Sequence, residues 1–172
     1  MRTNYPRHLT GFSYVGLHRY SLTFCTLDRR NVFVQQEPVD LVTSQFLRAA
    51  RELRFDLVAY CFMPDHVHLI AEGTREDADL KRFVSLATQL SGHHYARCLG
   101  RTLWQRYGYE HVLRDDESTQ AAVRYILENP VRAGLVDAIE KYPFWGSSVY
   151  SRQELIEFAY EVGPAEAGHY ER

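Results

Sequence analysis

The stretch of sequence that decides the fold is residues 60–71, YCFMPDHVHLIA. Apolar residues lead into a Pro-Asp turn, and after it His66 and His68 alternate with Val67 and Leu69. A period of two is typical of a strand, and Pro-Asp is typical of a tight turn. The stretch therefore predicts two strands joined by that turn, with both histidines on one face of the second strand.

The segments outside this stretch alternate between strand-like and helix-like patterns. Apolar residues three and four apart predict helices, and alternating β-branched and aromatic residues predict strands. The predicted elements are a strand that begins at residue 18 and ends at 28–31, a helix over 37–54, paired strands within 54–73, a helix over 76–99 closed by Gly100, an aromatic strand and turn at 102–114, a helix from Ser118 that stops at Pro130, and a short helix at 153–161. This order predicts one α+β domain over residues 1–162, an antiparallel sheet with helices packed on it, and a flexible tail at 163–172.

Length and composition are those of a globular domain, with 172 residues, 45% hydrophobic and 24% charged. No apolar run reaches the roughly eighteen residues of a membrane span, and no signal-peptide pattern opens the chain. A cytoplasmic protein without a membrane partner is therefore expected. The three cysteines lack disulfide or zinc spacing and are interpreted as reduced thiols. The net charge is −2, and residues 115–172 hold 5 basic and 11 acidic residues. Because the acidity is concentrated there, it argues only weakly against nucleic-acid binding.

The two histidines are candidate metal ligands. On one strand face they can direct two imidazoles to one point, or they can be polar residues on an open face. Two imidazoles do not fill the coordination shell of a divalent cation. Tyr125 and Asn129 are four residues apart and share a helical face, and a carboxamide oxygen is a suitable ligand for Mg²⁺ or Mn²⁺. The alternatives are a half-buried aromatic side chain for Tyr125 and a helix-ending residue for Asn129, which precedes proline.

Four motifs occur in one order along the chain: YCFMPDHVHLI, LWQRYGYEHVLRDDE, VRYILENPVRAGLV and KYPFWGSSVY. With them the chain resembles the REP-associated tyrosine transposases, a branch of the single-tyrosine HUH transposases, which are IS200-like. The resemblance covers about residues 20–150. It implies a ferredoxin-like HUH fold and an enzyme that cleaves and joins single-stranded DNA, often beside a hairpin, through a covalent 5′-phosphotyrosine.

The resemblance also implies a role for each candidate residue. His66 and His68 match the metal-binding pair, Asn129 matches the third ligand of Mg²⁺ or Mn²⁺, and Tyr125 matches the nucleophile. Transposases of this class can exchange the tyrosine helix between two chains. A homodimer is therefore one arrangement that the resemblance allows, beside a monomer.

Candidate DNA contacts lie in two places. Arg132 follows the Tyr-Asn segment and is a candidate phosphate contact. A second group mixes guanidinium groups with aromatic rings that can stack on unpaired bases. Its members are Trp104, Arg106, His111 and Arg114. The alternative for this group is an aromatic rim of the core with solvated arginines.

Two other functions fit the same residues. One is a protein of the same fold that binds hairpin or single-stranded nucleic acid without cutting it. The other is a hydrolase of small phosphoesters that uses the histidine pair and a bound water, which leaves the Tyr-Asn spacing unexplained.

Overall fold

A computed structural model describes residues 12–106, 109–113 and 116–161, with the backbone alone for 109–111 and 116–118. Its elements in chain order are β1 (Arg19–Cys25), α1 (Gln36–Leu53), β2 (Phe55–Met63), β3 (His66–Gly73), α2 (Leu80–Leu99), β4 (Tyr109–Leu113), α3 (Asp116–Arg132), β5 (Trp145–Gly146) and α4 (Arg152–Tyr160), with 3₁₀ turns at Leu27–Arg29 and Ile139–Lys141. The tail predicted at 163–172 lies outside the described residues, and the domain boundary at 162 stays a prediction.

The described strands form a five-stranded sheet in the order β4-β1-β3-β2-β5, with every neighbouring pair antiparallel. The crossover β1-α1-β2 leaves a gap that β3 fills, and β3-α2-β4 returns the chain to the far side of β1. This is the split βαβ arrangement of ferredoxin-like folds. The predicted α+β fold with an antiparallel sheet is confirmed, and β3 is its central strand.

One face of the sheet is covered by α1 and α2. From β3 it receives Val67 and Leu69, which are fully buried, because alternate side chains of a strand point to the same face. The helices supply residues at helical spacing that are also buried: Val39, Val42, Phe46, Leu80, Phe83 and Ala87. This larger core anchors the strand that carries the histidines.

The opposite face of the sheet is covered by α3 and α4. Ile70 of β3 is buried there against Val123, Ile126 and Leu127 of α3. Because strand residues two apart point the same way, His66 and His68 face the α3 side as well. The sheet therefore places the histidine pair and α3 on one face.

The turn between β2 and β3 is tied to the segment after β1. The carbonyl of Pro64 accepts hydrogen bonds from the amides of Val32 and Phe33, at 2.8 and 2.9 Å. The carbonyl of Asp65 accepts from the backbone amide and the hydroxyl of Thr26, both at 3.0 Å. The hairpin is thus held by backbone contacts outside the sheet.

The end of α3 differs from the prediction. The helix was expected to stop at Pro130 and to fray at Asn129, but it continues through Pro130 to Arg132. It ends in a Schellman motif, in which Gly134 has φ 69° and its amide donates to Val131, while the Leu135 amide donates to Pro130. Proline removes one helical hydrogen bond. The cap supplies hydrogen bonds to the carbonyls of Pro130 and Val131.

Two other element boundaries were also wrong. The strand that begins near residue 18 was expected to end at 28–31 but ends at Cys25, because Asp28 and Arg29 adopt φ values of 56° and 53° that a strand cannot contain. The helix expected from residue 76 begins at Leu80, where the Asp79 side chain accepts a hydrogen bond from the Arg82 amide. Among the described residues, no helix combines the length and apolarity needed to cross a membrane.

At Gly73, the end of β3 packs closely against the backbone of Gly16. A Cβ at this position would lie 2.2 Å from the Gly16 carbonyl oxygen. We expect Gly73→Ala to lower the free energy of unfolding by about 1–3 kcal/mol, because the backbone must shift. The matched control is Gly92→Ala inside α2, where the added Cβ makes an ordinary 3.5 Å contact with Trp104. This control should gain up to about 1 kcal/mol from helix propensity. Urea unfolding measures both, and equal effects would contradict the packing argument.

Candidate active site

The histidine rings converge at the start of β3. Their centroids are 4.7 Å apart, and the two Nε2 atoms are separated by 3.0 Å. Across the sheet, His66 pairs with Cys25 and His68 with Thr23 of β1. Because alternate residues of a strand point to the same side, the two histidines direct their Nε2 atoms to one point.

Neighbouring side chains hold each ring by its other nitrogen. His66 Nδ1 lies 2.6 Å from Asp65 Oδ1, and the second oxygen of that carboxylate is paired with Arg29 Nε at 2.7 Å. His68 Nδ1 lies 3.1 Å from Thr23 Oγ1. When Nδ1–H donates to such an oxygen, the Nε2 lone pair is left free for a ligand. This is the usual support of metal-binding histidines.

Burial keeps His68 neutral. It lowers the pKa of His68 to about 4, helped by the proximity of His66 and by the positive charges of Arg132 and Arg29. A neutral imidazole is the form that binds a metal, because its Nε2 carries a lone pair.

The separation of the Nε2 atoms fits a divalent cation. Two neighbouring ligands of an octahedral ion at about 2.1 Å lie about 3.0 Å apart, and the two Nε2 atoms are 3.0 Å apart. The same spacing also permits one proton between them, which a cation would replace. Within the described ranges, no group of three His, Cys, Asp or Glu side chains could hold a metal. Among those residues, a third protein ligand would have to be of another type.

Tyr125 faces the histidine pair from α3. Its ring centroid is 5.7 Å from that of His68 and nearly perpendicular to it, and 51% of the residue is exposed. The orientation follows from the packing of α3, since Val123, Ile126 and Leu127 are buried against the sheet and leave Tyr125 on the more exposed side of the helix. The hydroxyl-bearing residue is thus both close to the pair and open to solvent.

Asn129 lies one helical turn after Tyr125, and its carboxamide is held by Arg132. Asn129 Oδ1 accepts a hydrogen bond of 2.8 Å from Arg132 Nη2. Its Nδ2 is buried and has no hydrogen-bond partner among the described residues. The same guanidinium donates to the Tyr125 carbonyl at 3.0 Å and lies 4.2 Å from the centre of the Tyr125 ring. Arg132 therefore joins the two candidate residues of α3.

Two of the other predicted DNA contacts, Trp104 and Arg106, lie on the α1/α2 side of the sheet, away from this point. Trp104 is half-buried against Phe24, Phe33 and Phe46 on the α1/α2 side, and its Nε1–H donates to Ser91 at 2.9 Å. Arg106 is exposed and, with Trp104, lines a cavity of about 690 Å³ beside α2. His111 belongs to β4, but its side chain lies outside the described residues, as does Arg114 entirely.

Three supporting residues were missed in the sequence: Thr23, Arg29 and Asp65. Asp65 directly precedes His66, so a contact between this carboxylate and the neighbouring imidazole could have been predicted from the sequence. Thr23 and Arg29 carried no local signal, because their positions depend on the register of β1 with β3 and on the left-handed backbone at Arg29.

The sequence matches the profile of one protein family, described as transposase IS200 like, over residues 14–129 of the 172. That range includes the histidine pair, Tyr125 and Asn129. The chain belongs to the IS200-like transposase family. The resemblance to REP-associated tyrosine transposases is confirmed with it.

Two relatives and one solved structure agree with this assignment. A Haemophilus influenzae protein named as a candidate REP-associated tyrosine transposase is 28% identical over 83% of this chain and 84% of its own length. The REP-associated tyrosine transposase of Escherichia coli K12 is 27% identical over 70% and 73%. The fold is shared with a REP-associated tyrosine transposase solved bound to a REP hairpin, with a TM-score of 0.69, 21% identity and coverage of 84% and 82%.

Asp65 offers a test of how the pair is supported. We expect Asp65→Ala to weaken Mn²⁺ binding by about 10–100-fold, because His66 loses the partner that fixes its ring and tautomer. Asp65→Asn should fall between this variant and the wild type, since it keeps an acceptor and loses the charge. Titration calorimetry with Mn²⁺ measures the change. Asp40→Asn on α1, on the other side of the sheet, is the matched control, and wild-type affinity in Asp65→Ala would contradict the assignment.

Proposed function

We propose that this IS200-like transposase is a single-stranded DNA endonuclease and strand transferase that depends on Mg²⁺ or Mn²⁺. It would cut near hairpin DNA of the REP type through a covalent 5′-phosphotyrosine on Tyr125. The observation that carries the proposal is the approach of the Tyr125 ring to His68, 5.7 Å between centroids, with Asn129 one turn further along α3.

The substrate class is supported by the relatives. Both carry the name REP-associated tyrosine transposase, the Haemophilus protein as a candidate, and the solved protein that shares this fold is bound to a REP hairpin. We propose hairpin DNA with a single-stranded segment as the substrate here. Arg132 is the proposed phosphate contact, since its guanidinium already lies over the Tyr125 ring. Contacts from Trp104, Arg106, His111 and Arg114 remain predictions.

The residues proposed to hold the metal are His66, His68 and Asn129. A bound divalent cation supplies Lewis acidity, which polarises a phosphodiester and neutralises charge in the transition state. This lowers the activation free energy by roughly several kcal/mol. The role of the chain is to keep His68 neutral, to fix both imidazoles and to hold Tyr125 close to His68.

Cleavage then requires attack by the Tyr125 hydroxyl oxygen on phosphorus. The new bond joins the phenolic oxygen to the 5′-phosphate, the bond to the 3′-oxygen breaks, and that oxygen takes a proton from water, so the leaving strand ends in a 3′-hydroxyl. The phenolic proton can pass to water because half of Tyr125 is exposed. A neutral phenol is a weak nucleophile, which is why the charge on the phosphate must be offset.

Joining is the same reaction in reverse. The phosphotyrosine is a phosphodiester and keeps the bond energy of the cleaved strand, so a second 3′-hydroxyl can attack it and release Tyr125 without ATP. A tyrosine nucleophile thus accounts for both cutting and joining, whereas an activated water would allow cutting alone.

Tyr125 and the histidine pair of one chain lie together, which supports action within a single chain. A homodimer that exchanges α3 remains the alternative. Mixing Tyr125→Phe with His66→Ala/His68→Ala protein separates the two arrangements. Activity restored in the mixture would identify exchange of α3 between chains. A mixture that stays inactive, like each variant alone, would identify action within one chain.

The central test is a covalent-adduct assay. Purified protein is incubated with Mn²⁺ and a labelled hairpin oligonucleotide carrying single-stranded flanks, and the products are separated on a denaturing gel. We expect a slower protein–DNA band that disappears in Tyr125→Phe, because the phenolic oxygen forms the bond. Tyr150→Phe is the matched control, since Tyr150 is 50% exposed and Tyr125 is 51% exposed.

Other outcomes identify the rival functions. Hairpin binding without any adduct would favour a catalytically silent binding protein of the same fold. Hydrolysis of a generic phosphodiester that is unchanged in Tyr125→Phe would favour a metal-dependent hydrolase. An adduct that survives Tyr125→Phe would show that another residue is the nucleophile.

A further inference from the structure

Arg132 makes all of its contacts at the candidate site with neutral groups. One of its nitrogens, Nη2, donates to the Tyr125 carbonyl and to Asn129 Oδ1, at 3.0 and 2.8 Å, and the guanidinium plane covers the Tyr125 ring. Among the described residues, the acid paired with it is Glu128, at 3.4 Å, and this pair is weak because both side chains are partly exposed. A guanidinium bound in this way is available to a stronger acceptor.

These contacts depend on the end of α3. Arg132 is the last residue of the helix, and the Schellman motif after it keeps the helix from unwinding there. From that position its side chain reaches back along the helix over Asn129 to Tyr125. Arginine is suited to this because its planar fork can donate two hydrogen bonds and stack on a ring together, which a lysine cannot do.

The contact with Arg132 uses the oxygen that the metal would need. A carboxamide binds a cation through oxygen, while its nitrogen carries two hydrogens and has no free lone pair. In this structure Oδ1 of Asn129 accepts from Arg132, and the buried Nδ2 is the group without a hydrogen bond among the described residues. Turning the amide over would bring Nδ2 against the donors of Arg132. The oxygen can therefore turn inward only when the guanidinium moves away.

We infer that Arg132 is a positioning residue that withholds the Asn129 oxygen from the metal until a DNA phosphate takes up the guanidinium. This inference rests on the proposed function. A phosphate carries charge and forms roughly twice as strong a hydrogen bond as a neutral acceptor, so it can draw Arg132 away from Asn129. The histidine pair then gains its third ligand when the substrate is present.

Metal and DNA binding are coupled as a result. If DNA raises the affinity for the metal by some factor, the metal raises the affinity for DNA by the same factor. The free protein would hold Mg²⁺ or Mn²⁺ weakly through two imidazoles, and the complete shell would form only around a bound strand. The site would then be assembled by its own substrate.

The test measures Mn²⁺ affinity of the full chain without DNA, by titration calorimetry, in a double-mutant cycle. Arg132→Ala should bind Mn²⁺ about 5–10-fold more tightly than the wild type, because Asn129 is freed. Asn129→Ala should equal the wild type, since its oxygen is already engaged. Removing the positive charge of Arg132 also favours a cation directly, but this part of the gain persists in Arg132→Ala/Asn129→Ala. The inference requires a clearly smaller gain in the double variant.

The outcomes separate this inference from the proposed function. His66→Ala/His68→Ala should abolish Mn²⁺ binding, and if it does not, the proposed metal site is wrong. If binding depends on the histidines but the gain from Arg132→Ala is the same with and without Asn129, the inference alone is overturned. If neither the wild type nor Arg132→Ala binds Mn²⁺, both are overturned.

A second measurement follows the coupling itself. In a Tyr125→Phe background, which cannot form the adduct, a hairpin oligonucleotide with single-stranded flanks should raise Mn²⁺ affinity about tenfold. The same oligonucleotide should have little effect when Arg132→Ala is added, because the oxygen is already free. An equal effect in both backgrounds would contradict the role of Arg132.

Discussion

The site depends on the anchoring of β3 by its buried face. Val67 and Leu69 are fully buried against α1 and α2, and this burial fixes which way the intervening residues point. Because a strand has a period of two, a slip of one residue would turn His66 and His68 into the apolar core. The cost of burying two imidazoles there holds the register, so the hydrophobic core and the geometry of the histidine pair have one cause.

The second half of the site comes from α3, which packs on the same face of the sheet as the histidine pair. Ile126 and Leu127 bury α3 against that face, and the helix period places Tyr125 beside His68, with Asn129 one turn further along α3. The site is therefore built across two layers, with two imidazoles from a strand and the hydroxyl and amide from a helix. Neither layer holds a complete set of groups.

The local patterns were enough to predict the fold class, the strand face of the histidines and the helical face of Tyr125, because each is set by a short period in the sequence. Contacts between distant segments were not predictable in this way. Thr23 contacts His68 only through the register of β1 with β3. Trp104 packs in the aromatic core, although the arginines and aromatic residues near it in sequence also suit a DNA-binding surface. Pro130 was misjudged because a helix-breaking residue was weighed without the cap that follows it at Gly134.

The hairpin turn that carries His66 has a consequence for local unfolding. Because the Pro64 and Asp65 carbonyls accept hydrogen bonds from Thr26, Val32 and Phe33, the turn cannot open without loosening that segment too. Hairpin tips usually exchange their amide hydrogens early, whereas this one belongs to a larger cooperative unit. Tyr125, by contrast, is half exposed at the outer edge of its helix. The histidine half of the site is thus part of this backbone network, whereas the proposed nucleophile lies on the more exposed half.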